Sequence, residues 1–210
     1  MKAAIFDMDG TLLDSMRMWK EFAPSFARQC GIEWTAEMQK AFMTLSFVEA
    51  ADYFCLHFPH IANNRDQLVE HWFQLLAEDY RTNSTVKPGV TEYLEKLKTA
   101  GIPCAVATMT EHRLSDEVLK MHRLWDYMDH VLTYEDVSAG KDKPDLYYEA
   151  ARRLGATPAD CIVFEDSLFA ANTALSAGFI VYGVDDHVQN KEAQLKPICH
   201  RYIYSFEELL

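Results

Sequence analysis

The chain has 210 residues, 49% of them hydrophobic and 25% charged, which excludes disordered, collagen-like and coiled-coil classes and fits one large domain or one domain carrying a smaller insert. Thirty-two acidic against 20 basic side chains give a net charge of −12, so a nucleic-acid polymer or an anionic membrane is an unsuited partner and any anionic ligand must be held by local groups. Five cysteines without a CxxC pair read as free thiols of a reducing cytosol. No apolar run matches a signal-peptide core or a membrane span, so the expectation is a cytoplasmic protein, with a monomer as the default.

In chain order, Lys2 to Phe6 is a short apolar run closed by Asp7-Met8-Asp9-Gly10, the pattern of a buried strand entering a tight loop with carboxylates at its end. From about Ser15 to Asn83 the rhythm changes. Apolar and aromatic residues recur at helical spacing (Trp19, Phe22, Phe26; Phe47, Ala50, Ala51, Phe54; Leu68, Trp72, Leu75, Leu76), which predicts an inserted helical module of some 70 residues. It leaves after the first strand and returns near Thr85-Val86-Lys87-Pro88-Gly89, where it is expected to overhang the ligand-binding end of the sheet as a lid.

Beyond it, helices are expected over Val90 to Ala100, Glu111 to Met121, Pro144 to Leu154 and Ser167 to Ala177, the first and the last two closed by Gly101, Gly155 and Gly178. Between them lie strand-like runs at Ile102 to Thr108, His130 to Thr133, Cys161 to Glu165 and Phe179 to Val184, the alternation of a parallel α/β sheet. Within the insert, Trp19, Phe22 and Phe47 read as helix packing, and His57, His60 and His71 match no metal-binding spacing. Arg17 is a candidate for reaching the site from the first turn of the insert, while Asp14 or Ser15 is placed to cap its helix.

The chemistry gathers at strand ends. Asp7 and Asp9, two apart, suit a nucleophile and an acid/base provided that a cation and hydrogen-bond donors offset their repulsion, although Asp-x-Asp-Gly also marks turns and calcium loops. Thr108 ends the second core strand, where its hydroxyl and neighbouring amides suit a phosphoryl oxygen; a structural hydroxyl is the plainer reading. Lys141, in Gly140-Lys141-Asp142-Lys143-Pro144-Asp145, precedes a helix and could offset phosphate charge or sit in a solvated loop. Glu165-Asp166-Ser167 offers paired acids for Mg2+, with helix capping as the alternative.

Taken in order, Asp7-Met8-Asp9-Gly10-Thr11-Leu12, Thr108, Gly140 to Asp145 and Phe164 to Ser167 resemble the four motifs of haloacid dehalogenase-like hydrolases, and the insert resembles the helical cap of the group containing phosphoglycolate phosphatase and beta-phosphoglucomutase. The resemblance implies an α/β fold, a Rossmann-like parallel sheet core (1–14 and 84–210) with an inserted all-helical cap (15–83). It implies a Mg2+-dependent phosphatase that hydrolyses a small phosphorylated metabolite, a phosphomonoester, through an aspartyl-phosphate. Asp7 is then the nucleophile and Asp9 the acid/base. Asp7, Thr108, the adjacent Met109 and Lys141 meet the phosphoryl group, while Asp7, the carbonyl of Asp9, Glu165 and Asp166 hold the metal.

Two positions depart from the family pattern: Asp142 stands where a proline is usual, and Trp19 stands where the mutases carry a histidine twelve residues after the nucleophile. The second leaves a beta-phosphoglucomutase-like sugar phosphomutase as the alternative activity. A phosphate-signalling receiver gathers similar acids, but it lacks a large insert after the first strand and a second acid like Asp9.

Overall fold

A computed structural model describes the whole chain apart from Met43, Thr44, Ser46 and Ser138, the first three of which lie inside the expected helical insert. The chain divides into two compact units, Met1–Met16 with Ser84–Leu210, and Arg17–Asn83.

The discontinuous unit is built on β1 (Ala3–Phe6), β4 (Cys104–Thr108), β5 (His130–Thr133), β6 (Cys161–Glu165), β7 (Ile180–Val184) and β8 (Arg201–Ile203), in the spatial order β5-β4-β1-β6-β7-β8 with every pairing parallel. A separate antiparallel ribbon of β2 (Leu13–Asp14) and β3 (Thr85–Val86) carries the chain out of this unit and back. The helices of this unit are α5 (Val90–Thr99), α6 (His112–Met121), α7 (Tyr134–Val137), α8 (Asp145–Arg153), α9 (Leu168–Ser176) and α10 (Glu192–Leu195).

The central strands are continuous apolar runs because both faces of a parallel sheet are covered. On one face Ile5, Ala105, Ala107 and Val163 pack with Leu146, Tyr147, Ala150 and Ala171. On the other, Phe6 stacks on Phe164 at 4.7 Å between ring centres, and Tyr93 and Phe206 close over Phe164 at 5.7 and 5.4 Å. Side-chain alternation along β1 and β6 separates the two sets.

The expected alternation is observed, with differences at the second core strand, at the sheet edge and in two short helices. The second core strand begins at Cys104 and not Ile102, since Pro103 has no amide to donate; its carbonyl still accepts from the Ala4 amide at 3.0 Å. The edge strand β8 and the short helices α7 and α10 were not expected. Three or four residues give too little periodicity to read, and β8 is exposed enough at its edge to tolerate Arg201 and Tyr202.

The helical unit comprises α1 (Met16–Gln29), α2 (Ala36–Phe42), α3 (Phe47–His57) and α4 (Arg65–Asn83), α1 beginning one residue before it. Trp72 is its hub, with the rings of Phe22, Phe26, Phe47 and Phe54 edge-on at 5.3 to 5.9 Å. Phe22 and Phe47 are thus packing residues. So is Trp19, whose ring meets Tyr80 edge-on and whose Nε1 donates to the Tyr80 hydroxyl at 2.8 Å. His57 lies against Tyr53 at 4.2 Å, His71 near Phe26 at 6.1 Å, and His60 is exposed. Arg17 is exposed along a groove between α1 and α4.

Candidate active site

β1 has β4 on one side and β6 on the other, and the chain fills the β4 side before crossing to the β6 side. The crevice at the carboxyl ends of these strands is where a doubly wound sheet binds ligands. Asp7 follows β1, Thr108 ends β4, and Glu165 ends β6 with Asp166 next in the chain.

Asp7, Glu165 and Asp166 are all buried, and one carboxylate oxygen from each lies within 4.8 Å of the others. Lys141 is the cation between them. It is buried, pairs with Asp7, and donates to Glu165 Oε2 at 2.8 Å. The Tyr147 hydroxyl, from α8, donates to the same Glu165 oxygen at 3.0 Å, while Glu165 Oε1 accepts from the Ser167 amide at 3.1 Å at the start of α9. One oxygen of Glu165 thus meets the Ser167 amide just ahead of α9, and the other faces the lysine.

Asp166 is held from two sides, by the Thr11 hydroxyl on Oδ1 at 3.1 Å and by the Gln189 amide on Oδ2. Gly10, at φ +87°, makes this approach possible, because a Cβ there would fall 2.1 Å from Asp166 Oδ2. Asp9 is held elsewhere. Its oxygens accept from the Ser15 and Thr110 hydroxyls, each at 2.7 Å, and its carboxylate does not join the group of three. Ser15, which with Asp14 was placed to cap the helix, donates its hydroxyl to Asp9. Thr108 is buried and its Oγ1 accepts from the Thr110 amide at 3.1 Å; Met109, between them, is exposed and near Gly140.

Crowded acids with one cation have shifted proton affinities. Burial pushes Asp7 up to about 6, helped by Glu165 and only partly offset by Lys141. Burial, with Asp7 and Glu165, holds Asp166 well above the usual carboxylate range. For Lys141, burial works against the charge, yet Asp7 and Glu165 outweigh it and keep the ammonium well above its ordinary value. Three buried carboxylates that offer only oxygen donors are the kind of set that a hard divalent cation neutralises.

A native-state pKa raised above the unfolded one means that the folded chain binds the extra proton between about pH 4 and about pH 6, so this contribution to stability falls as pH rises through that window. In chelator, the stability of the wild type relative to Asp7→Asn should therefore decline from pH 4.5 to pH 7. Urea unfolding at both pH values measures it, and a flat difference would show that Asp7 titrates normally.

The sequence matches the haloacid dehalogenase-like hydrolase family over residues 1–178. The chain belongs to the haloacid dehalogenase-like hydrolases. The phosphorylated carbohydrates phosphatase of Thermotoga maritima is 30% identical to it over 200 residues, covering 93% of this chain and 91% of that protein. The (DL)-glycerol-3-phosphatase 2 of Arabidopsis thaliana is 31% identical over 190 residues, covering 87% and 78%. Among solved structures, CbbY from Rhodobacter sphaeroides in complex with phosphate superposes with a TM-score of 0.77 at 25% identity, covering 99% of this chain and 96% of that one. The beta-phosphoglucomutase of Clostridium difficile, at a TM-score of 0.75 and 20% identity over 100% and 93%, shares the fold. This haloacid dehalogenase-like hydrolase is a phosphoric monoester hydrolase, as its curated phosphatase relatives show. No helix among the described residues is long and apolar enough to cross a membrane.

Thr11, Ser15, Thr110, Tyr147, Lys87, Asp186 and Gln189 were not singled out as site residues from sequence. Thr110 alone carried a signal, since two residues after Thr108 it shares that side of an extended chain. The others join the site through loop closures that have no period.

Proposed function

We propose that the protein is a Mg2+-dependent phosphatase of small phosphorylated metabolites that works through an aspartyl-phosphate on Asp7. The observation that carries this reading is the separation of the two motif acids. Asp7 lies among Lys141, Glu165 and Asp166, whereas Asp9 stands apart on two hydroxyls, so one can attack while the other handles the proton. Phosphatase relatives acting on phosphorylated carbohydrates and glycerol 3-phosphate support the substrate class.

Asp7 attacks phosphorus as the bond to the leaving oxygen breaks, and Asp9 gives that oxygen its proton. Asp9 then takes a proton from the water that attacks the aspartyl-phosphate, which releases phosphate and restores Asp7. Lys141 binds a phosphoryl oxygen, with the Thr108 hydroxyl and the Met109 amide as further donors. Ser15 and Thr110 orient Asp9. A bound Mg2+, held by Asp7, Asp166 and the Asp9 carbonyl with Glu165 outside them, would supply positive charge against the phosphoryl oxygens.

The helical unit serves as a cap, since both of its connections run through the β2–β3 ribbon beside the acid loop, where Asp9 bridges to Leu13. Trp19, occupied by Tyr80, favours hydrolysis over the mutase activity that a histidine there would suit. The test is phosphate release from a panel of sugar phosphates, glycerol 3-phosphate and phosphoglycolate, with Mg2+ and with chelator. Release in both conditions alike would remove the metal. Conversion of a hexose 1-phosphate to its isomer without free phosphate would establish the mutase.

Thr110→Val should lower kcat by about tenfold or more with little change in KM, because it removes a donor from the acid/base and leaves the phosphoryl contacts in place. Steady-state kinetics reads this, and an unchanged kcat would show that the Thr110 hydroxyl does not position Asp9.

A further inference from the structure

The turn after β7 does more than close the sheet. Asp186 has a fully buried side chain whose Oδ1 accepts from the Val188 and Gln189 amides at 3.0 and 2.9 Å, while its own carbonyl accepts from the Asn190 amide at 2.9 Å. Its other oxygen faces Lys87 Nζ at 3.4 Å. Lys87, the residue after β3, also donates to the Asp185 carbonyl at 2.6 Å and to the Gly10 carbonyl. A single nearly buried ammonium thus ties the loop carrying Asp7 and Asp9 to the turn carrying Gln189, and Gln189 extends from that turn to Asp166.

We propose that Gln189 is a positioning residue for Asp166, held in place by the Lys87–Asp186 pair, and that the trio sets the affinity of the acidic site for a divalent cation. This rests on the metal-dependent reading above.

The physical argument concerns rotation. A lone carboxylate at a chain turn is free to swing about its Cβ–Cγ bond, and a cation would have to fix it at an entropic cost. Here one oxygen takes the Thr11 hydroxyl, the other takes the Gln189 amide, and Gly10 lies against the second. Each oxygen retains a further lone pair for a cation. Partners of this kind, one shell out from the ligands, typically change metal affinity by about 10- to 100-fold when removed.

The experiment is calorimetric titration of Mg2+ into the full chain stripped of metal, for wild type and Gln189→Ala, with thermal unfolding of both in chelator. Gln189 is half-buried on a turn, so truncation should leave the metal-free midpoint near that of wild type. Mg2+ should bind the variant at least about tenfold more weakly, and kcat should return towards the wild-type value at saturating Mg2+. Lys87→Met, which loosens the turn and keeps Gln189, should weaken Mg2+ in the same direction. If wild type binds Mg2+ and Gln189→Ala binds it within about twofold, the positioning role is wrong and the phosphatase reading stands. If wild type binds no divalent cation, the metal-dependent reading fails and this inference fails with it.

Discussion

Asp7→Asn is expected to abolish phosphate release, by about 10⁴-fold or more in kcat, while the variant folds and still binds phosphate esters. The amide has nearly the shape of the carboxylate but no anionic oxygen to attack phosphorus. Nothing among the described residues stands ready to replace it: Glu165 has both oxygens engaged, by Lys141 and Tyr147 on one side and the Ser167 amide on the other, and Asp166 is held by Thr11 and Gln189. The same change should not lower the thermal midpoint of the metal-free protein. Asp7 carries a proton affinity raised by burial and by Glu165, so a neutral group there relieves repulsion and leaves Lys141 paired with Glu165. Inactivity at an unchanged or raised midpoint separates a lost nucleophile from a lost fold. Appreciable turnover would remove the covalent path and leave the acids as metal ligands for direct attack by water.

The parts of this site that were legible in the sequence are those on which the backbone imposes a pattern. Asp7, Thr108 and Glu165 lie at the ends of apolar runs, and parallel strands buried on both faces must be apolar until they emerge, so the first polar residue marks the edge where ligands bind. The helical insert was legible through aromatic spacing, and its packing around Trp72 follows from that spacing. Lys141 was readable from the motif context, although its double pairing with Asp7 and Glu165 was not.

What sequence reading missed comes from distant segments brought together by closure of the fold. Lys87 and Asp186 are 99 residues apart, and Thr11 and Asp166 are 155 apart. A lysine before a proline, or a glutamine in a polar turn, has no local signal that distinguishes it from a solvated side chain. Ser15 shows the same limit at short range: its position at the start of α1 suggests a cap, but the turn through Gly10 brings it to Asp9.

Lys141→Met should be the most damaging single change to stability at the site, costing about 3 to 5 kcal/mol in the metal-free protein. The side chain is buried, and its ammonium is the counter-charge shared by Asp7 and Glu165. A methionine fills much the same volume, so the loss is electrostatic: two carboxylates keep their burial without their cation, and one must take up a proton for the chain to fold. The cost should shrink at lower pH, where that proton is supplied, and in the double variant Glu165→Gln with Lys141→Met, where one of the stranded charges is gone. Urea unfolding of the two single variants and the double variant closes the cycle. A coupling near zero would mean that Lys141 contributes packing alone. Activity should fall with stability but for a different reason, by about 10³-fold, since the residue that offsets phosphoryl charge is also lost. Added Mg2+ should restore much of the stability of Lys141→Met and little of its turnover, because a divalent cation can neutralise the acids from its own position but cannot occupy the lysine's place beside the phosphoryl oxygen.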